Sequence, residues 1–225
     1  MSEAGAERAV PELARHVLDE LLPDVRRRAV AALGEVEGEG VAARLELQHL
    51  DIVAPLHEVY GARTDVSLLA GHLIELAVTA ALHRDEPLRV LDRRREVDPG
   101  WFQRARQIGY VCYTDLFAGD LPGVRQRLDY LGELGVTYLH LMPLLRPREG
   151  DNDGGYAVVD YASVDPRLGT MADLEELATE LHRRSMTLCV DLVLNHTAAE
   201  HPWARAAAAG DPAYRDFYLV FPDRT

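Results

Sequence analysis

The sequence predicts an α/β protein with a parallel sheet, preceded by an all-helical segment. Residues 1 to about 95 place apolar side chains at helical spacing and contain a single aromatic, Tyr60. Beyond that point short β-rich runs alternate with amphipathic helices, in the order strand, helix, strand, helix, strand. Connections of that kind imply right-handed crossovers between parallel strands. An open doubly wound sheet and the first three strands of a (β/α)8 barrel both satisfy the pattern.

The 225 residues could hold one large domain or two modest ones. A formal charge of −13 and a pI near 5.1 oppose binding to nucleic acid or anionic lipid, since no region carries a basic excess. All 24 basic residues are Arg and none is Lys, a compositional bias with no bearing on mechanism. Cys112 and Cys189 fall inside predicted strands, where a free thiol packs as a small apolar group, so no disulfide is expected. The N-terminus lacks a basic start followed by an apolar stretch, and no run approaches the roughly 20 apolar residues of a membrane span. A cytoplasmic chain with no membrane partner is therefore the expectation.

In the helical segment, Leu13, Val17, Leu18, Leu21 and Leu22 define the first helix, which Pro23 should kink or end. The glycines of E-G-E-G, 37–40, should break the next. A third helix, S-L-L-A-G-H-L-I-E-L-A-V-T-A-A-L, is apolar nearly all round and reads as the buried centre of a small bundle. The charged stretch L-D-R-R-R-E-V-D-P-G-W, 91–101, ends in a turn and marks a domain boundary. The expected domains are 1–95, helical; 96–196, the sheet; and 197–225, a further segment.

G-Y-V-C-Y, 109–113, is the first predicted strand. Asp120 caps the following helix, with Pro122 in its first turn; Val124, Leu128, Leu131 and Leu134 line one face and Gly135 ends it. V-T-Y-L-H-L, 136–141, is the second strand. A loop of nearly thirty residues follows, and Thr170 and Asp173 in capping-box spacing then open a helix whose Leu174, Leu177 and Leu181 face inward. T-L-C-V-D-L-V-L, 187–194, is the third strand.

That third strand carries the first candidate site. Alternation puts Asp191, Val193 and Asn195 on one face and Val190, Leu192 and Leu194 on the other. A buried carboxylate costs several kcal/mol unless it is paired, so Asp191 requires partners. In a barrel, polar residues at a strand's C-terminal end point to the mouth, with His196 opening the next loop. The plainer reading, in which Asp191 and Asn195 only tie down neighbouring loops, stays open. The second candidate is the long loop, where Gly154 and Gly155 permit tight turns beside Asp153 and Tyr156. A carboxylate and a phenol ring together suit a sugar, which offers hydroxyls to hydrogen-bond and an apolar face to stack. A glycine turn with a solvated acid and a packed tyrosine fits the same residues.

H-T-A-A-E-H, 196–201, has the wrong spacing for zinc motifs, so no metal site is expected. No glycine-rich phosphate loop follows any strand, and no G-x-S-x-G elbow is present.

D-L-V-L-N-H resembles the first signature region of the α-amylase family of glycoside hydrolases, at the end of the third barrel strand. Four stretches together, G-Y-V-C-Y-T-D-L-F-A-G-D-L, L-G-V-T-Y-L-H-L-M-P-L, D-G-G-Y-A-V-V-D-Y and the run from His201 to Arg224, are similar to the amylosucrase branch, which also carries a helical N-terminal domain. The resemblance implies a TIM barrel and a glucosyltransferase acting on sucrose. It places Asp153 at the bottom of the sucrose pocket, Tyr156 under the glucosyl ring and His196 on a glucosyl hydroxyl, with Asp191 and Asn195 supporting. Residues 197–225 would open a loop domain inserted after the third strand. The implied reaction is retaining transfer of glucosyl from sucrose to an α-glucan acceptor or to water, with no cofactor.

The same resemblance places the nucleophile, the acid/base and a further aspartate after later strands, past Thr225. Residues 109–225 also cover less than half of the roughly 250 that such a barrel needs. The chain is accordingly expected to be an N-terminal part of an amylosucrase-like protein, inactive alone. A glucan- or partner-binding remnant and a small doubly wound hydrolase are the alternatives.

Overall fold

The computed structural model describes residues 3–219. Residues 220–225, the end of the expected inserted segment, lie outside the described residues. The chain divides into two compact units, Met1–Asp98 and Pro99–Thr225.

The first unit is helical: α1 (Glu3–Leu33), α2 (Glu35–Tyr60), α3 (Val66–Leu82) and α4 (Glu86–Val97). Its core joins Val17, Leu18, Val25 and Ala29 of α1 to Val41, Leu45 and Val53 of α2 and to Val66, Ala70, Ile74 and Val78 of α3. Three sequence expectations are corrected here. First, α1 does not end at Pro23 but runs on to Leu33, because Val25 and Ala29 on the same face are fully buried and hold the helix past the lost hydrogen bond. Second, the break falls at Gly34, which takes φ +83°, whereas Gly38 and Gly40 lie inside α2. Gly38 is a contact point: a Cβ there would sit 2.4 Å from the backbone nitrogen of Val30. Third, α3 buries one stripe and leaves Leu68, Leu73 and Leu76 exposed, so it is not a buried centre. The charged run before the boundary is helical as α4, and Arg89 and Arg93 both pair with Glu37 of α2 at 2.9 Å.

The second unit contains strands β1 (Gly109–Cys112), β2 (Tyr138–Leu141) and β5 (Thr187–Val190), which form a parallel sheet in the order β1-β2-β5. Tyr110, Leu139 and Leu188 are in register on one face; Val111, His140 and Cys189 are in register on the other. After β1 comes the short helix α5 (Thr114–Ala118), and the first face packs against short helices α6 (Leu121–Gln126) and α7 (Leu128–Glu133) and against α8 (Met171–Arg183), through Leu121, Leu128, Leu131, Leu177 and Leu181. Local chemistry sets the ends of these helices. Asp120 accepts a hydrogen bond from the Gly123 amide at 2.7 Å, and Thr170 and Asp173 form the reciprocal capping box. The single helix expected after Asp120 is interrupted at Arg127. Both cysteines are free thiols.

Two further expectations change. The long loop contains its own antiparallel pair, β3 (Leu145–Pro147) with β4 (Val158–Val164). The third parallel strand ends at Val190 rather than Leu194. Its neighbour β2 runs out at Leu141, so Asp191 to Leu194 have no ladder to join. After them come α9 (Pro202–Ala208) and α10 (Pro212–Arg215), linked by a ring cluster in which Trp203 lies 4.9 Å from Phe217 and 6.0 Å from Tyr214 between centroids. Among the described residues no single helix is long and apolar enough to cross a membrane.

The two glycines of α2 separate by their surroundings. Gly38→Ala should destabilise the chain by about 1–3 kcal/mol because backbone must move to admit the methyl group. A Cβ on Gly40 meets nothing within 4 Å, so Gly40→Ala should stabilise by about 0.5–1 kcal/mol. Urea titrations followed by far-ultraviolet circular dichroism read both.

Candidate functional site

The C-terminal ends of β2 and β5 lie side by side, because the strands are parallel and paired through Leu141 and Val190. His140 projects from the sheet face opposite the helices, and Asp191 follows β5 on the side that alternation assigns to Cys189. There the Asp191 carboxylate finds its partners. Its Oδ1 lies 2.8 Å from His140 Nε2, and its Oδ2 accepts a hydrogen bond from the Tyr156 hydroxyl at 2.7 Å. One carboxylate thus joins the end of β5, the second strand and the loop that follows it.

Tyr156 is delivered by a tight turn. Asp153, Gly154 and Gly155 take φ values of +55°, +67° and +94° in succession, and the Asn152 side chain accepts a hydrogen bond from the Gly155 amide at 3.0 Å. Gly155 is needed for space as well as for its backbone angle, since a Cβ would stand 3.0 Å from that of Pro143. Opposite Gly154 is the Tyr113 hydroxyl, 3.2 Å from where a Cβ would be. Asp153 is exposed beside this turn.

The electrostatics follow from these contacts. Hydrogen bonding to Asp191, reinforced by burial and by the nearby charges, pushes the Tyr156 phenol up to about 12. For Asp191, burial favours the neutral acid, but the hydrogen bonds from Tyr156 and His140 and the charge of His140 outweigh it, so the carboxyl lies below its usual range. At neutral pH the site presents a carboxylate held by a neutral phenol.

The other expected residues lie apart from this centre. Asn195 and His196 are exposed and adjacent, with Asn195 Nδ2 3.4 Å from His196 Nδ1. Tyr161 of β4 fixes their loop: its hydroxyl donates to the Val193 carbonyl at 2.5 Å and also approaches the His196 carbonyl at 3.2 Å. Asn195 and His196 line a cavity of 1390 Å³ together with Tyr161, Trp203, Phe217 and Tyr218, and neither Tyr156 nor Asp191 reaches it. In the H-T-A-A-E-H stretch, Glu200 faces Arg148 at 4.0 Å and the buried His201 accepts the Trp203 amide through its ring nitrogen. No cluster of three or more metal-ligating side chains forms among the described residues.

Two contributors were missed in the sequence, His140 and Tyr161. The signal for His140 was a single polar residue in the otherwise apolar alternation of L-H-L. Tyr161 carried no signal beyond its type.

Residues 90–225 match the family model for the alpha-amylase catalytic domain. Among curated proteins, the trehalose-6-phosphate hydrolase of Bacillus subtilis is 41% identical over 127 residues, which is 53% of this chain and 22% of that protein. The oligo-1,6-glucosidase of Halalkalibacterium halodurans is 44% identical over 107 residues, 47% of this chain and 19% of that enzyme. Of the solved structures, a single-residue variant of MutB from crystals soaked with trehalulose superposes with a TM-score of 0.50 at 32% identity, covering 55% of this chain and 23% of that one. The chain spans about a fifth of the length of the relatives it matches.

The bond between Tyr156 and Asp191 sets a pH dependence on each side. A raised Tyr156 value means that the folded chain keeps a proton the unfolded chain gives up, so this stabilisation is whole below the ordinary phenol value of about 10 and is lost as pH climbs through about 12. For Asp191 the stabilisation is present above the ordinary carboxyl value of about 4 and is lost as pH falls through the lowered native value. In Asp191→Asn the Tyr156 titration, followed by the Cζ resonance of labelled tyrosine, should drop toward the ordinary value.

Proposed function

This chain belongs to the α-amylase family of glycoside hydrolases, and we propose that its second unit is the part of such an enzyme that grips the glucosyl ring of an α-linked sugar. The observation that carries the reading is the Tyr156 ring, fixed at its tip by Asp191 at the C-terminal ends of two parallel strands. A phenol held at one end has a free face for the apolar side of a pyranose. Asp153, exposed on the turn that precedes it, would accept hydrogen bonds from hydroxyls of the same sugar. His196, on the next loop, would hydrogen-bond a glucosyl hydroxyl and strengthen its grip as charge develops at the anomeric carbon, with Asn195 in a supporting role.

In this reading, β1, β2 and β5 are the first three strands of a (β/α)8 barrel, and residues 197–219 begin a segment inserted after the third. Membership in this family argues against the doubly wound alternative. The reaction is retaining glycosyl transfer: one carboxylate attacks the anomeric carbon while an acid protonates the departing oxygen. The residues assigned here bind and orient the sugar, and neither of those two roles falls to any of them.

As to substrate, sucrose as donor and an α-glucan as acceptor is the reading we favour. It rests on the D-G-G-Y-A-V-V-D-Y stretch and on the helical unit that precedes the sheet, both similar to the amylosucrase branch. The names of the two curated relatives supply the competing substrates, trehalose 6-phosphate and 1,6-linked oligosaccharides.

Equilibrium titrations of the full chain with sucrose, maltose, isomaltose and trehalose 6-phosphate, read by ligand-observed NMR, test both levels. Tyr156→Ala should weaken binding about tenfold, equivalent to about 1.4 kcal/mol, and Tyr156→Phe, which keeps the ring, by less. Equal affinity in Tyr156→Ala and the unmodified chain would remove Tyr156 as the platform. Preference for trehalose 6-phosphate or isomaltose over sucrose would replace the sucrose reading.

A further inference from the structure

We propose that His140 is a positioning residue for the sugar platform, acting through Asp191 on the ring of Tyr156. The inference rests on the reading of Tyr156 as that platform and extends it to a residue with no contact to the sugar.

The chain of contacts is short and directional. His140 stands on the open face of the sheet, in register with Val111 of β1 and Cys189 of β5, and its Nε2 meets Asp191 Oδ1 at 2.8 Å. A carboxylate can only accept there, so the proton on Nε2 belongs to the imidazole in both its neutral and its charged form. The other oxygen, Oδ2, accepts from Tyr156 at 2.7 Å. Asp191 has left the strand ladder by this point, and these two bonds are what orient its side chain. Without the imidazole donor, Oδ1 would face a half-buried space unsatisfied, and the carboxylate would turn toward water. Tyr156 would then lose the acceptor that fixes its tip. His140 lies within a rigid strand, whereas Tyr156 follows a turn with three residues at positive φ, so the strand holds the loop through the carboxylate.

The groups facing this relay are few. His140 faces Asp191, with Cys189 beside it on the sheet; Tyr156 faces Asp191, with Tyr113 and Asp153 close enough to influence its ionisation.

Two substitutions separate orientation from bulk. His140→Gln keeps an N–H donor near the position of Nε2, and His140→Leu keeps the volume without the donor. The direct readout is the Cζ resonance of Tyr156 in the full chain. It should move in His140→Leu and return close to its original position in His140→Gln. An unmoved resonance in His140→Leu, or an equal displacement in both variants, would overturn the proposal. Maltose affinity gives the functional arm. His140→Leu should weaken it about three- to tenfold, His140→Gln should restore most of the loss, and His140→Leu with Tyr156→Phe should be no weaker than the weaker single variant. Additive losses would mean that His140 acts by another route. Failure of the unmodified chain to bind any of the sugars would sink the functional reading alone, because the resonance measurements judge the relay independently.

Discussion

The second unit turns on a single carboxylate that has to be satisfied. Asp191 is half-buried, immediately past the end of a strand, where the backbone ladder no longer holds it. Its two oxygens are satisfied by two side chains from different parts of the chain, His140 and Tyr156. The free-energy cost of leaving either oxygen dry and unpaired is what makes the convergence of β5, β2 and the following loop specific. The leucines behind the sheet hold these segments near one another, but apolar contacts do not dictate which ring faces which oxygen.

Backbone chemistry carries Tyr156 the remaining distance. The antiparallel pair β3 and β4 shortens a connection of nearly thirty residues and leaves only the 148–157 segment as its tip. Within that tip, Gly155 admits a close approach to Pro143 that a side chain would block, and Asn152 fixes the turn from inside. A long loop that must present one ring at one height needs such secondary constraints, since the entropy of a free loop of this length would blur the ring's position.

Much of this was legible in the sequence because its signals are local and periodic. Asp120, the Thr170–Asp173 pair and the leucines of α8 report their roles within a few residues of themselves. Asp191 and Tyr156 could each be picked out as chemically unusual, but the bond between them spans 35 positions and no local pattern encodes it. His140 was missed for the same reason: a lone histidine in an apolar strand is most simply a core residue, and its partner lies 51 positions away. The helical unit shows the opposite failure. Pro23 and the glycines of E-G-E-G carry strong local signals that tertiary packing overrides, with Gly38 kept for close contact between α1 and α2 rather than for a break.

Parallel strands explain why the three groups meet at all. In an antiparallel pair the residue after one strand's C-terminus lies beside the start of its neighbour, so chemistry placed at strand ends is divided between two edges. Here β2 and β5 end together, and His140, one residue from the end of the first, faces Asp191, one residue beyond the end of the second. The loop leaving β2 starts from that same edge, so Tyr156 has only to fold back over the strand it came from. Parallel pairing therefore concentrates these polar residues at one end of the sheet, and the helices cover the opposite face of the same sheet with leucine.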